Sequence, residues 1–418
     1  MTFTRKTASL VPIRDTVFAV ADKAKKDKAE HGDDAVTDAT IGSLYGEDGN
    51  LVAFDTVFDH YDAIDHRTKA AYASSFTGNP DYREKVWDWV TQGSSLDLPH
   101  SVIATPGGTG AVSTSLVTFL DAGQTVILPD IAWGSYRLMA AQYNLKTVNY
   151  QMFDGDHFNL ASVKQAIEEV HKTQDRIVLV VNSPCHNPTG YSLSEAEWSA
   201  LTDLLNEAGK TGPVILVNDI AYIDYSYDLA HSRTYMNCFN QFSDQVMGVI
   251  CFSCSKTLTS YGLRCGAAVI IARQKHDVRD AEIVFEKNAR ATWSNIPNAA
   301  MKNFVWVVTE NRETFLKEKQ NYIELMRERS SIFLKEAKKC GLETYPYQEG
   351  FFVTLKIEDN ERAERIHEEL MKNHIYTVLV NHGIRVACCS LPLKKAHGLA
   401  AKMKAIEDSV QQEPSKPE

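Results

Sequence analysis

Short, fully apolar runs alternate with stretches of helical spacing through the middle of the chain, from about residue 101 to residue 272. Continuous apolar runs are typical of strands that are buried on both faces of a sheet. The alternation therefore predicts an α/β fold, with a mostly parallel sheet that helices cover on both sides. The predicted strands are residues 101–104, 125–128, 176–182, 213–217, 246–252 and 267–272.

The two ends of the chain carry a different pattern, which predicts a small α+β domain built from the N- and C-terminal segments. A helical stretch around residues 15–29 and a glycine-rich loop at 40–50 precede the sheet, and a long helical region runs from Pro297 to about Cys340. A strand at 351–357, a helix at 361–373, a strand at 384–389 and a helix at 394–410 follow. We expect an N-terminal arm and part of the small domain at 1–47, a large domain at 48–315, and the rest of the small domain at 316–418, ending in a disordered polar tail at 411–418.

The composition is that of an ordinary globular enzyme, with 44% hydrophobic and 23% charged residues among 418. The net charge is −10 and no basic cluster stands out, which argues against a nucleic-acid partner. No apolar stretch is long enough to span a bilayer, which argues against a membrane partner. The first thirty residues lack a secretory core, so we expect a cytoplasmic protein.

The eight cysteines lie mostly within apolar runs and indicate buried thiols in place of a disulfide framework. The pair Cys251-x-x-Cys254 also permits a redox or zinc interpretation. No second pair stands at metal spacing, and a strand through both cysteines would present them to opposite faces. We therefore expect no metal site.

The unusual motifs of the central region follow the ends of predicted strands. Ligands of parallel α/β sheets bind beyond the carboxyl ends of the strands, where these motifs would meet. The motifs are the Gly107–Ala111 loop, Trp133, Asn187, Asp219 with Tyr222, and Lys256.

Lys256 lies at the end of an apolar run, and Arg264 follows it within a Gly-Leu-Arg-Cys-Gly turn. A lysine made neutral at such a place is a nucleophile toward a carbonyl and forms a Schiff base. A fixed arginine and the hydroxyls of Ser253 and Ser255 can hold a phosphate. An aldehyde that also carries a phosphate is pyridoxal phosphate. The alternative is a surface lysine beside a structural arginine.

Other residues near the strand ends suit the same ligand. The glycine-rich loop ahead of a helix can bind an anion, but Ser113 replaces the third glycine of a dinucleotide fingerprint. Asp219 could pair with a protonated ring nitrogen, Tyr222 and Asn187 could contact the ring's phenolic oxygen, and Trp133 could stack on the ring. Each also has a structural interpretation: a helix cap, a core tryptophan or a turn.

Together these motifs resemble the fold-type I, class I aminotransferases, in the aspartate and aromatic aminotransferase group. The resemblance covers nearly the whole chain and rests on His186-Asn187-Pro188-Thr189-Gly190, Asp219-x-x-Tyr222, Ser253-x-Ser255-Lys256 and Arg264-x-Gly266. It implies a seven-stranded sheet in the large domain and pyridoxal 5′-phosphate bound as an internal aldimine on Lys256, which would also be the general acid and base. The cofactor-binding residues would be Tyr72, Gly108, Thr109, Trp133, Asn187, Asp219, Tyr222, Ser253, Ser255, Lys256 and Arg264.

The resemblance also implies a homodimer with shared active sites, because Tyr72 resembles a catalytic tyrosine that reaches the phosphate of the neighbouring subunit. The sequence departs from the family pattern in two places, near Tyr72 and near Trp133. The run from Tyr72 to Gly78 is one residue longer than in the family, and Trp133 follows Pro129 on a longer loop.

Two arginines would decide the substrate. Arg385 matches the family arginine that binds the α-carboxylate, and Arg290 matches the one that binds a side-chain carboxylate from across the dimer. Gly42 resembles the backbone segment that closes over substrate, and Trp133 and Asn187 would also contact it. The implied reaction moves an amino group between an amino acid and a 2-oxo acid such as 2-oxoglutarate. The amino acid would be aspartate or glutamate, and aromatic amino acids would be second substrates.

Three other functions remain open at this point. A lyase or decarboxylase with the same cofactor would keep the same cofactor residues. A non-catalytic ligand sensor would need an added DNA-binding domain, for which the chain has neither room nor charge. A nicotinamide dehydrogenase is disfavoured by the interrupted glycine pattern.

Overall fold

The computed structural model describes residues 3–4, 9–12 and 16–410; the predicted polar tail at 411–418 lies outside them. Contacts divide the chain into two units. The large unit comprises mainly Ala53–His186 and Ser192–Asn321, and the small unit comprises residues 9–12, 16–52, Asn187–Tyr191 and 322–410. The sequence predicted domain limits at 47/48 and 315/316, whereas the contacts divide the chain at 52/53 and 321/322.

Helices precede, separate and follow the strands along the chain. They are α1 (Thr16–His31), α2 (Asp55–Ala63), α3 (His66–Ala70), α4 (Pro80–Thr91), α5 (Gly107–Phe119), α6 (Ser135–Gln142), α7 (Leu160–His171), α8 (Glu195–Ala208), α9 (Cys254–Thr257), α10 (Lys275–Thr292), α11 (Asn298–Val308), α12 (Arg312–Cys340), α13 (Asn360–Lys372), α14 (Leu393–Ala396) and α15 (Leu399–Ser409). Short 3₁₀ segments lie at Ile223–Tyr225, Thr234–Gln241, Tyr261–Leu263 and Cys388–Ser390.

The strands of both units complete the set of elements. They are β1 (Thr37–Asp38), β2 (His100–Thr105), β3 (Thr125–Pro129), β4 (Lys146–Tyr150), β5 (Phe153–Asp154), β6 (His157–Phe158), β7 (Ile177–Asn182), β8 (Val214–Asp219), β9 (Val246–Ser253), β10 (Gly266–Ala272), β11 (Phe352–Lys356), β12 (Ile375–Tyr376), β13 (Val378–Val380) and β14 (Gly383–Ala387).

The large unit is built on a seven-stranded sheet in the order β2-β10-β9-β8-β7-β3-β4. β10 runs antiparallel to both of its neighbours, and the other pairs are parallel. Every residue of β7 and β8 is buried, as expected for central strands with helices on both faces. The predicted α/β fold is therefore confirmed, including six strands located from their apolar runs.

The core of the large unit lies between the sheet and its covering helices. Val112 and Leu116 of α5 are fully buried and belong to the same cluster as Val126 of β3 and Val249 of β9. Phe285 of α10 joins this cluster from its own helix. The packing fixes α5, whose first residues follow the end of β2 directly.

The small unit has a three-stranded antiparallel sheet in the order β11-β14-β13. Phe333, Ile366 and Val386 are among the buried residues of its core. The N-terminal segment joins this unit through the parallel pair β1–β12, and the Asp27 carboxylate of α1 accepts hydrogen bonds from His31, His374 and Tyr376 at 2.7–2.8 Å.

Two predicted helical regions are interrupted in the structure. The region from Pro297 to Cys340 is divided into α11 and α12, and the Thr309 hydroxyl at the break donates to the Val305 carbonyl, a side-chain bond that competes with the helix. The predicted helix at 394–410 is divided into α14 and α15 at Gly398, whose φ of +75° a helix cannot accommodate. Within the described residues, no helix has both the length and the apolar character needed to cross a membrane.

Candidate active site

The register of the large sheet brings the ends of several strands to one edge. Gly266, at the start of β10, stands opposite both Thr105 of β2 and Ser253 of β9. Asp219 at the end of β8 stands opposite Cys251 of β9 and Asn182 of β7. Residues that follow these strands therefore emerge at the same side of the sheet, as the sequence predicted.

Glycines leave a space at the N-terminus of α5. A Cβ atom on Gly107 would lie 2.6 Å from Arg264 Nη2, and Gly107 also has a φ of +69° that favours glycine. A Cβ atom on Gly108 would lie 3.3 Å from Ser253 Cβ, and Thr109 follows on an exposed position of the same turn. Backbone N–H groups at such a helix start bind anions.

Arg264 presents an exposed positive charge beside these glycines. Its Nη1 donates to Ser255 Oγ at 3.0 Å and to the Tyr261 carbonyl at 2.8 Å, and its Nη2 donates to the Pro106 carbonyl at 3.3 Å. None of these partners is a carboxylate, and no ion pair forms to Arg264 in the part of the chain that is described. The guanidinium is thus fixed in place while its charge remains available to an anion.

Asp219 is a buried carboxylate with neutral partners. Its Oδ2 accepts from the Tyr136 hydroxyl at 2.6 Å, and its Oδ1 accepts from the Ala221 N–H at 3.0 Å. Burial raises the pKa of Asp219 above its ordinary value, although both hydrogen bonds and the charge of Lys256 act in the opposite direction. A cationic ligand beside Asp219 would restore the carboxylate, because an opposite charge favours the ionised form.

Lys256 is held in the four-residue helix α9, which follows β9 directly. Ser253 caps this helix, since its Oγ accepts from the Ser255 N–H at 3.2 Å. The Lys256 amine lies 5.0 Å from the centre of the Tyr222 ring. Trp133 lies nearby on Tyr136, with ring centres 5.4 Å apart and planes nearly perpendicular. The large unit therefore collects Lys256, Asp219, Tyr222 and Trp133 beside the glycine space.

The small unit brings together three other predicted residues. Arg385, buried in β14, donates from Nη1 to Asn187 Oδ1 at 3.2 Å and from Nη2 to the Thr40 carbonyl at 2.7 Å. Its guanidinium lies 4.3 Å from the centre of the Phe352 ring. A Cβ atom on Gly42 would lie 3.0 Å from the same ring, so a larger residue there would require the ring to shift by a few tenths of an ångström.

Tyr72 and Arg290 lie on the surface of the large unit. Tyr72 is 84% exposed and makes no hydrogen bond to any residue within 16–410. Arg290, near the end of α10, donates to Ser294 Oγ at 2.5 Å and lies 4.7 Å from the Phe76 ring, which is itself partly exposed. A role for either residue in the site therefore depends on a second subunit.

The cysteine pair has a geometry different from the one we expected. Cys251 lies in β9 but Cys254 lies in α9, so the interpretation of both on one strand is wrong. Both are free and buried, and burial raises the pKa of each thiol. Buried thiols with a raised pKa are unreactive, which argues against a redox role.

Two residues of these groups were missed from the sequence. Tyr136, three residues after Trp133, has the spacing of a core residue on α6, and nothing in the sequence indicates its bond to Asp219. Phe352 meets Arg385 because β11 and β14 are paired with Phe352 opposite Ala387, a register that places the two side chains diagonally on one face. A predicted pairing of the two strands would have found it.

Residues 41–402 match the family model described as aminotransferase class I and II. An aromatic-amino-acid aminotransferase of Pseudomonas aeruginosa is 27% identical over 204 residues, which is 48% of this chain and 49% of that protein. An aspartate aminotransferase of Escherichia coli is 25% identical over 210 residues, 49% of this chain and 51% of that protein. The chain thus spans about half the length of the curated relatives it matches.

Solved structures extend the similarity over the whole chain. An aminotransferase from Anaerococcus prevotii superposes with a TM-score of 0.93 at 31% identity, covering 99% of this chain and 100% of that one. The cytoplasmic aspartate aminotransferase of Saccharomyces cerevisiae gives a TM-score of 0.78 at 18% identity, covering 97% and 98%, and this second likeness concerns the fold.

Proposed function

The chain belongs to the class I and II aminotransferase family, and from this premise we propose that it is a homodimeric, pyridoxal-phosphate-dependent transaminase. It would transfer an amino group between an L-amino acid and a 2-oxo acid. The family match supports transamination over the lyase or decarboxylase chemistry that the cofactor residues alone leave open.

The observation that carries this proposal is the state of Asp219. A fully buried carboxylate normally has a cationic partner or a saturated set of donors. Asp219 has two neutral donors, and its pKa is raised by burial. Asp219 would hold the ring nitrogen of pyridoxal phosphate in its protonated form, and this pairing would keep the ring able to accept electrons.

The remaining residues of the large unit fit the rest of the cofactor. Five residues would line the recess that holds the phosphate, and they supply a positive charge, hydroxyls and helix N–H groups: Arg264, Ser253, Ser255, Gly108 and Thr109. We further propose that Tyr222 and Asn187 donate to the phenolic oxygen, that Trp133 stacks on the ring, and that Lys256 binds its carbonyl carbon.

Pyridoxal phosphate, when bound, supplies a carbonyl that exchanges amino groups and a ring that accepts the electron pair of the substrate's α-carbon. Lys256 would supply the proton transfers: its amine, once free, would take a proton from the substrate's α-carbon and return it on the cofactor's side of the site. Tyr222, 5.0 Å from the Lys256 amine, limits the directions in which this amine can move. Asp219, paired with the ring nitrogen, would stay ionised.

We propose dicarboxylic substrates, aspartate or glutamate with 2-oxoglutarate, and aromatic amino acids as second substrates. Arg385 would bind the α-carboxylate, with its fork oriented by Asn187, Thr40 and the Phe352 ring. Arg290 would bind the side-chain carboxylate, and Gly42 would lie on the segment that covers the substrate. Arg290→Asp should therefore cost far more activity on aspartate than on phenylalanine; equal losses would remove Arg290 from this role.

Tyr72 and Arg290 would act across the interface of a homodimer. Their exposure supports this, since Tyr72, Phe76 and Arg290 place two aromatic rings and a cation on one surface of the large unit. Aromatic residues and arginine are enriched at protein interfaces. We also propose a cytoplasmic location, in keeping with eight cysteines that are all free thiols.

The absorption spectrum of the loaded protein tests this function directly. Adding excess L-aspartate without a 2-oxo acid should convert the visible band of the bound cofactor to that of its amine form, and 2-oxoglutarate should restore it. Lys256→Ala should lose this interconversion. Conversion that 2-oxoglutarate cannot reverse, with loss of carbon dioxide or of the side chain, would indicate a lyase, and a protein that never gains the band would contradict the whole proposal.

A further inference from the structure

A second buried carboxylate, Asp224, lies five residues after Asp219 and outside the cofactor recess. It sits in the 3₁₀ turn that follows Tyr222. Its Oδ1 accepts a short hydrogen bond from Arg233 Nη2, and its Oδ2 accepts from Trp89 Nε1 at 3.0 Å and from Thr257 Oγ1 at 2.6 Å. All four side chains belong to the large unit and are buried.

Asp224 is the carboxylate that two buried cations share. Arg233 pairs with it directly, and Lys319 of α12 is completely buried with its amine 5.1 Å from the Tyr225 ring and 5.0 Å from the Phe315 ring. The Lys319 amine has no hydrogen-bond partner among the described residues. Arg233 and Lys319 hold the pKa of Asp224 well below its ordinary value, against the effect of burial. The network is therefore anchored by a permanent negative charge.

Thr257 links this charge to the catalytic lysine. It is the residue after Lys256 and the last of α9, a helix of four residues. Helices this short do not hold their own geometry, so their orientation comes from the contacts at their ends. Ser253 caps one end of α9, and the bond from Thr257 to Asp224 fixes the other.

The same bond also fixes Lys256 relative to Tyr222. Asp224 belongs to the turn that Tyr222 begins, and Thr257 belongs to the helix of Lys256. One hydrogen bond thus joins the two short segments that bring the Lys256 amine to 5.0 Å from the Tyr222 ring. A shift of either segment would change which atoms the amine can reach.

We propose that Asp224, acting through Thr257, is a positioning residue that sets the placement of Lys256 against Tyr222 for proton transfer. This inference rests on the transaminase proposed above. Neither Asp224 nor Thr257 is among the residues proposed to hold the cofactor or the substrate, and the Thr257 hydroxyl meets that set only at the carbonyl of Ser253, at 3.1 Å.

Thr257→Val tests the proposal, because valine keeps the branched shape but replaces the hydroxyl by a methyl group and so removes its contacts with the Asp224 carboxylate and the Ser253 carbonyl. Losing a hydrogen bond to a charged group should lower kcat by roughly ten- to a hundredfold. The KM for aspartate should stay within about twofold of the wild-type value, because the variant removes no group that is proposed to bind the substrate. The pH midpoint of the bound cofactor's visible band, measured without substrate, should also shift, because that band reports the surroundings of Lys256.

Two matched variants separate positioning from stability. Thr257→Ser retains the hydroxyl and should restore both kcat and the midpoint. Thr202→Val removes a buried hydroxyl on α8 that has no partner within the described residues, and it should leave both at wild-type values. Thr257→Val with wild-type kcat and midpoint, or with a loss of thermal stability alone, would overturn the proposal. A wild-type protein without the cofactor band would instead overturn the proposed function itself.

Discussion

Asp219 and Asp224 are the same residue type, five positions apart and both fully buried, yet the protein shifts their pKa values in opposite directions. Asp219 meets two neutral donors, and burial raises its pKa. Asp224 meets Arg233, Lys319 and three donated hydrogen bonds, and its pKa is lowered. Burial alone therefore does not mark a functional carboxylate. A buried carboxylate whose hydrogen-bond donors are all neutral, and whose pKa is raised, indicates a charge that a ligand supplies.

The largest effect should come from removing the carboxylate that the chain itself satisfies. Asp224→Ala leaves Arg233 and Lys319 buried without a counter-charge, and breaking a buried ion pair in this way costs about 3–5 kcal/mol of unfolding free energy. Asp219→Ala, which leaves no buried cation pair broken, should cost the apoprotein much less. Urea denaturation of the two apoproteins measures this difference, and equal losses would contradict the contrast between the two sites.

Activity should depend on Asp219 more than on Asp224, the reverse of the order expected for stability, and Asp219→Asn tests this. Replacing a preorganised charge beside the reacting ring by a neutral amide should reduce kcat by about 10²–10³-fold. The asparagine resembles the protonated acid that burial already favours, so the free energy of unfolding of the apoprotein should hardly change. A variant that is strongly destabilised, or that retains kcat, would show that Asp219 is a structural residue.

Lys319 adds an alkaline test to the same comparison. Burial lowers its pKa from 10.5 to about 8, so between these values the unfolded chain binds more protons than the folded one. Stability should therefore rise by a few kcal/mol as the pH increases from about 8 to about 10.5. Lys319→Met keeps an unbranched side chain without a charge and should lose this rise. If the unfolding free energies of wild type and Lys319→Met change with pH in the same way, the Lys319 amine is not desolvated and the prediction is wrong.

Acid titration of the apoprotein should separate the two aspartates by sign. The raised pKa of Asp219 contributes stability that is complete below its ordinary value of 3.8 and is lost as the pH rises through the folded value. The lowered pKa of Asp224 contributes stability that is present above 3.8 and is lost as the pH falls. The stability of wild type relative to Asp219→Asn should thus fall with rising pH, whereas its stability relative to Asp224→Asn should rise; slopes of the same sign for both would refute the assignment.

The sequence predicted those parts of the molecule that depend on local pattern. Apolar runs located six of the seven strands, but β4 was missed because this edge strand, Lys146–Tyr150, is largely exposed and polar. The location of the motif residues at one edge of the sheet was predicted from the apolar runs that precede them along the chain. The cations around Asp224 could not be predicted. Arg233 follows nine residues later through a turn of irregular conformation, and Lys319 comes from a distant segment, α12, which only tertiary packing brings near.

The smallest expected effect on activity, and the most specific test, comes from Tyr136. Its hydroxyl donates to the Asp219 carboxylate, a contact that the sequence did not reveal. Tyr136→Phe keeps the ring against Trp133 and removes only the hydroxyl at 2.6 Å from the carboxylate. Losing one hydrogen bond to a charged group corresponds to about 1.5–3 kcal/mol, so kcat should fall roughly ten- to a hundredfold. Tyr150→Phe is the matched control, since it removes an equally buried hydroxyl that donates to the Val180 carbonyl at 3.2 Å. If both variants lose the same activity, the hydroxyl of Tyr136 acts through general packing; if only Tyr136→Phe does, the ionised state of Asp219 is what that hydroxyl supports.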